Sequence, residues 1–241
     1  MALAQFATIE LLRVNICNID MNETLDAIET FVQEGKPRLI VTADATGLVI
    51  AANDPEFKAL VNAADLVTPD GAGVLWAARR KGTPLKERVS GVDLVERCVQ
   101  RGYRVAFIGG KPGIAQAAAD NLNAQYPGAQ IVAALDGYFP PEKEEAVVQT
   151  LAEAKPQILF VGMGMPRQER FIQRNKAAIG AAVNAGVGGS FDVFAGAIKR
   201  APRWMQRWSL EWLWRMIQDP SKIKKVSNLP RFVLLTLRSG R

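Results

Sequence analysis

The sequence predicts an α/β fold: a mostly parallel sheet with helices on both faces, followed by a basic, tryptophan-rich helical appendage. Three observations point there. Short segments that are apolar throughout alternate with amphipathic helical stretches, and strands without a polar face belong to a sheet covered on both sides. Glycine clusters follow one strand after another, as strand-to-helix turns favour. After Phe194 the composition changes, and four of the five tryptophans fall within positions 204–214.

Residues 5–17 read as a short strand pair. Asn22 is expected to cap a helix whose inner stripe is Leu25, Ile28, Phe31 and Val32. Strands are predicted at 38–42 and 65–69. A helix over 91–101 leads to RVAFI at 104–108, which runs into two glycines. The helix 112–124 leads to QIVAAL at 130–135, the helix 141–154 to QILFVG at 157–162, and the helix 166–177 to the segment 181–189. No internal repeat or low-complexity linker interrupts the series. Residues 1–195 therefore read as one α/β domain and residues 196–241 as its appendage.

Apolar residues make up 49% of the chain and charged residues 22%, enough for a sizeable core. Cys17 and Cys98 are too few for a disulfide framework or a zinc site and read as buried thiols of a reducing compartment. The start, MALAQFATIE, lacks the basic and apolar regions of a signal peptide. No stretch approaches the roughly 20 uninterrupted apolar residues of a membrane span. A cytoplasmic or peripheral protein is expected. Histidine is absent, which removes an imidazole base, a histidine metal cluster and any Ser–His or Cys–His pair. A base working near neutral pH is then a carboxylate first, with Lys, Tyr or Cys behind it.

The charge is uneven. Residues 199–241 hold eleven Lys or Arg against Glu211 and Asp219, a net +9 in a chain whose total is +6, so the remainder carries −3. Such asymmetry implies a polyanionic partner: nucleic acid, anionic lipid or a phosphorylated ligand. Trp204, Trp208, Trp212 and Trp214 are interleaved with Arg203, Arg207 and Arg215, a pattern that suits a membrane interface. The alternative is that these rings pack the tail onto the domain. Pro220 and Pro230 divide the tail into short helical pieces.

Ligands of open α/β sheets bind at the carboxyl ends of the strands, and the candidate residues fall there. Thr42 and Asp44 end one strand, and Asp70 and Gly71 follow the next. Gly109, Gly110 and Gly113 follow a third; Gly162, Gly164 and Gln168 a fourth; Gly186, Gly188 and Gly189 the last. Glycine turns let backbone N–H groups approach an anion such as a nucleotide diphosphate. No GK[ST] occurs, and GGKPG misses the dinucleotide spacing, which weakens an NAD-type oxidoreductase reading. Asp70 reads equally as a base or as the cap of a helix beginning at Gly71, and Asp44 competes for both roles. No DxD pair offers carboxylates to a metal, so no metal ligands and no cofactor are assigned.

The segments VTADA, ADLVTPDGAGVLWAARRKGTPLKERVSGVDLV, VAFIGGKPG, LFVGMGMPRQER, VGGSFDVFAGAIKRAP and LEWLWRMIQDPSK resemble the WecG/TagA/CpsF glycosyltransferase family, in order from about residue 8 to residue 232. The resemblance implies a Rossmann-like catalytic domain that binds a nucleotide sugar. It implies an inverting, metal-independent transfer of a hexosamine from a UDP donor to undecaprenyl-diphosphate-linked GlcNAc at the inner face of the membrane. In TagA-like members the product is the linkage unit of wall teichoic acid. It places Asp70 as general base, Thr42 near the sugar, Arg88 at the acceptor or leaving group, and Gln168 at the nucleotide. Arg215 takes the place of an arginine that neutralises diphosphate, while Lys222 and Lys225 stand where TagA-like members have arginine. Lysine keeps the charge but loses the bidentate fork. Asp44 departs from the family's usual Asn and leaves the donor sugar open. A nucleic-acid-binding tail is the competing reading, and self-association is left open.

Overall fold

The computed structural model describes residues 6–199, 201, 202, 205, 211–218 and 228–239. Trp204, Trp208, Lys222 and Lys225 lie outside the described residues, as do the side chains of Trp212 and Arg215. In chain order the elements are β1 (Thr8–Leu11), β2 (Val14–Cys17), α1 (Met21–Glu34), β3 (Arg38–Ala43), α2 (Ala45–Asn53), α3 (Pro55–Asn62), β4 (Leu66–Pro69), α4 (Ala72–Arg80) and α5 (Gly91–Gln100). They continue with β5 (Arg104–Gly109), α6 (Ile114–Gln125), β6 (Gln130–Leu135), α7 (Glu144–Glu153), β7 (Ile158–Gly162), α8 (Arg167–Ile179), β8 (Val183–Gly186) and α9 (Ser190–Phe194). In the tail they are α10 (Glu211–Gln218) and α11 (Asn228–Ser239).

Strands β3 to β8 form one parallel sheet in the order β4-β3-β8-β7-β5-β6, and β1 and β2 form a separate antiparallel hairpin. Alternate residues of each strand feed two different cores, as a pleat of period two demands. Leu39, Val41, Val67, Ile108 and Val161 join the core beneath α2, α3, α4 and α8. Ile40, Leu66, Phe107, Phe160 and Val183 join the core beneath α1, α5, α6 and α9. The Rossmann-like α/β expectation holds. Cys17 and Cys98 are free and buried; burial pushes both thiols up, Cys98 to about 12.

One cap differs from expectation. Asp20, not Asn22, caps α1: its carboxylate accepts from the Glu23 N–H, and the Glu23 carboxylate accepts from the Asp20 N–H. This reciprocal box satisfies two orphan donors at once, which a cap at Asn22 would not.

The described tail helices are tied to the α/β body. Phe232 of α11 is fully buried, its ring 6.5 Å from that of Trp76 on α4, and Arg231 donates to Asn53 at the end of α2 at 2.6 Å. The Trp214 indole N–H donates to the Lys199 carbonyl at 2.9 Å, so this tryptophan packs the tail onto the chain that precedes it. Leu234, Leu237, Ile217 and Trp76 remain exposed. Among the described residues, no helix is long and apolar enough to cross a membrane.

Candidate active site at the carboxyl ends of the strands

The strand order puts the ends of β3, β4, β5, β7 and β8 side by side, so residues distant in sequence converge on one edge. Asp70 leaves β4 with its N–H donated to the Ala43 carbonyl at 2.8 Å, which extends the β3–β4 pairing by one residue. Helix α4 has Gly71 at its cap position, φ +89°, with no side-chain cap bond. Asp70 thus stands one residue before the cap position of α4. Its half-buried carboxylate accepts from the N–H of Gly91, the first residue of α5, at 3.3 Å. The approach to α5 is pinned beside it, because the Val89 N–H donates to the Pro69 carbonyl at 2.8 Å. That pinning brings Arg88 to the same strand end. Its guanidinium lies 3.7 Å from Asp93, whose carboxylate also receives the Ser90 hydroxyl.

Asp44 caps α2: Oδ1 accepts from the Gly47 N–H at 2.7 Å. An asparagine oxygen meets the same demand, so the Asp-for-Asn departure leaves this cap intact and adds a negative charge. Thr42 is buried and its hydroxyl donates to the Gly186 carbonyl at 2.8 Å, stitching β3 to the end of β8.

The glycine turns divide into two kinds. A Cβ at Gly109 would stand 2.5 Å from the Gly162 backbone, and one at Gly162 would meet the Phe191 ring at 2.7 Å. These residues are glycine so that strand ends can close on their neighbours. The Gly110 N–H is donated to the Gly162 carbonyl at 3.1 Å. Gly71 and Gly188, by contrast, hold positive φ without a close neighbour: a Cβ at Gly71 would meet only the Asp44 Cβ at 3.9 Å, and one at Gly188 nothing within 4 Å. Gly189 stands half-buried at the start of α9, without a side-chain cap.

Gln168 joins two of these turns from below. Its side chain is 1% exposed, and Oε1 accepts from the N–H groups of Gly164 and Gly188, each at 3.0 Å. Nε2 donates to Glu169 Oε1 at 2.7 Å. Glu169 itself is 0% exposed, and burial raises its carboxyl to about 7, opposed by the Gln168 hydrogen bond and assisted by the charge of Asp44. At the rim, the Arg167 guanidinium lies over the rings of Tyr138 and Phe139, 5.5 and 5.9 Å from their centroids.

Comparison with known proteins adds the decisive observation. The profile of the family described as Glycosyl transferase WecG/TagA/CpsF matches residues 9–241. The chain belongs to the WecG/TagA/CpsF glycosyltransferase family. Curated relatives carry the name N-acetylglucosaminyldiphosphoundecaprenol N-acetyl-beta-D-mannosaminyltransferase. The Bacillus spizizenii protein is 33% identical over 88% of this chain and 83% of its own length. The Bacillus subtilis protein is 29% identical over 93% and 89%. The Staphylococcus aureus (strain MW2) protein is 32% identical over 98% and 94%. This is a glycosyltransferase, and the family assignment does not favour the nucleic-acid reading.

Within this WecG/TagA/CpsF fold, the sequence-derived residues Asp70, Arg88, Asp44 and Gly71 gather at the β3–β4 ends. Gly109, Gly110, Gly188, Gly189 and Gln168 form the β5–β7–β8 side. Glu169, Asp93 and the Tyr138–Arg167 pair were not anticipated. An acid in the first turn of a helix ordinarily signals a solvated charge favoured by the helix dipole, so nothing local in PRQER marks Glu169 as buried.

Proposed function

We propose that this glycosyltransferase moves N-acetylmannosamine, or a related hexose, from a UDP-sugar to GlcNAc carried on undecaprenyl diphosphate. Inversion at the anomeric carbon and independence from metal complete the reading, which would place the enzyme in the synthesis of a cell-wall polymer such as teichoic acid. The activity named for the relatives supports the two substrates. The position of Asp70 carries the mechanism: a half-buried carboxylate at the carboxyl end of β4, one residue before the cap of α4 and within hydrogen-bond reach of the start of α5.

The Asp70 carboxylate takes the proton of the acceptor hydroxyl as that oxygen attacks the anomeric carbon. The bond from that carbon to the diphosphate oxygen breaks on the opposite face, and UDP departs with the electron pair. Arg88 meets the acceptor or the leaving diphosphate from the same strand end. Asp44 borders the floor under the sugar, Thr42 braces that floor near the sugar by tying β3 to β8, and the glycine turns with Gln168 behind them form the nucleotide side.

Residues 196–241 act as an appendage to the catalytic unit 1–195. In this reading Arg215, Lys222 and Lys225 supply positive charge to the diphosphate, and the tail holds the enzyme to the anionic inner surface of the cell membrane. The exposed Trp76, Leu234 and Leu237 support an apolar contact there.

The test is a donor screen: UDP-ManNAc, UDP-GlcNAc, UDP-glucose and UDP-uronic acids, each with a lipid-diphosphate-GlcNAc acceptor and excess chelator. Transfer from UDP-ManNAc with inverted configuration is expected. Retention of configuration, or no transfer from any of these donors, overturns the reading. Flotation with anionic against neutral vesicles tests the membrane arm separately.

A further inference from the structure

Glu169 has no role in the reaction as described, yet its surroundings are unusual. Among the described residues no cation pairs with it, and Oε2 is buried without a hydrogen-bond partner. Its other oxygen accepts from Gln168 Nε2 at 2.7 Å. The Gln168 amide is nearly symmetric in shape, and its two ends differ only in what they donate or accept. If it were reversed, Nε2 would face the N–H groups of Gly164 and Gly188, three donors with no acceptor among them. Glu169 completes this arrangement as the acceptor for Nε2, so that both ends of the amide are matched at once.

We propose that Glu169 is a positioning residue for sugar transfer: by accepting from Gln168 Nε2 it turns the amide so that Oε1 holds the Gly164 and Gly188 loops together at the mouth of the site. The loops are fitted closely enough to feel such a change. A Cβ at Gly186 would collide with Gln168 Nε2, and one at Gly47 with the Met165 sulfur. The link to catalysis rests on the transferase reading above; the contact itself does not.

Burial favours the neutral acid over the carboxylate at Glu169. A carboxylate with one oxygen orphaned in the interior is a charge without compensation. The charged group facing it is Asp44 from the start of α2, which further disfavours ionisation. From β8 it meets the uncharged backbone of Gly186, and from α8 the Gln168 amide. Its folded value of about 7 lies above the ordinary 4.5. The proton is thus held more tightly in the folded state, and the associated stability is complete below pH 4.5, declines as pH rises toward 7 and is absent above it.

Two substitutions separate positioning from charge. Glu169→Gln keeps an acceptor for Nε2 and should retain kcat and donor KM within about threefold, while flattening the decline in stability with pH. Glu169→Leu removes the acceptor. Donor KM should then rise on the order of tenfold, and hydrogen exchange at the Gly164 and Gly188 amides should quicken by a similar factor, while the β7 amides keep their protection. A folded Leu variant with unchanged exchange or unchanged donor KM overturns the proposal, as does a Gln variant as impaired as the Leu one. Should the Leu variant not fold, the wild type decides: the Gln168 side-chain NH2 protons should exchange slowly with solvent, as a buried donor held by Glu169 must, and fast exchange overturns the contact. That readout needs no substrate. A wild-type protein that uses no UDP-sugar would sink the transferase reading, and the exchange measurement would still decide the contact.

Discussion

The two sides of the sheet edge use their polar groups in opposite ways. At the ends of β3 and β4, Asp70 and Arg88 are half-buried side chains that both meet the start of α5, Asp70 through the Gly91 N–H and Arg88 through Asp93. At the ends of β5, β7 and β8, hydrogen-bonding capacity turns inward. Gly110 donates to Gly162, Gly164 and Gly188 donate to Gln168, and Gln168 donates to Glu169. In the proposed mechanism one side offers chemistry and the other offers shape. Glycines that look alike in sequence therefore serve different ends, closing strands together at Gly109 and Gly162 and holding positive-φ turns without close contacts at Gly71 and Gly188.

Substitutions can break this contrast, and the largest effect belongs to the chemical side. Asp70→Asn should lower kcat on the order of a hundredfold or more, with little change in thermal unfolding. A small rate effect with a large loss of stability would make Asp70 an anchor for α5 and erase the distinction. On the shape side, Gly109→Ala should destabilise the fold by about 1–3 kcal/mol in denaturant titration, because its Cβ meets the Gly162 backbone and φ is +153°. Asp44→Ala should cost about 1 kcal/mol through loss of the α2 cap, whereas Asp44→Asn should leave stability unchanged and move only donor preference in the sugar screen. Thr42→Val should cost about 0.5–1.5 kcal/mol by removing a donor from the Gly186 carbonyl, with donor KM close to wild type. A larger change in KM would move Thr42 from the scaffold to the sugar.

Much of this was legible in the chain. Leu39 to Val41 and Val105 to Ile108 announce strands buried on both faces, because neither face of those segments offers a polar residue to water. The Asp20 cap was also legible, since Asp20 and Glu23 stand at capping-box spacing; Asn22 competes only on residue type. The strand ends and the acid at position 70 could be located the same way. The tail was less readable. Trp214 fits both a membrane interface and internal packing by composition, and its bond to the Lys199 carbonyl shows it packed onto the preceding chain.

What the sequence determined by itself is what depends on near neighbours: the periodicity that separates strand from helix, the turns that follow each strand, the choice of a carboxylate in a chain without histidine. Only the tertiary structure decided which polar groups face the cleft. Gln168 and Glu169 sit in an ordinary helical first turn and become a buried brace because β8 inserts between β3 and β7, bringing Gly186 and Gly188 against them. Burial and hydrogen-bond partners are set by contacts between residues far apart in the chain, and those contacts raise the proton affinity of Glu169 and orient Gln168.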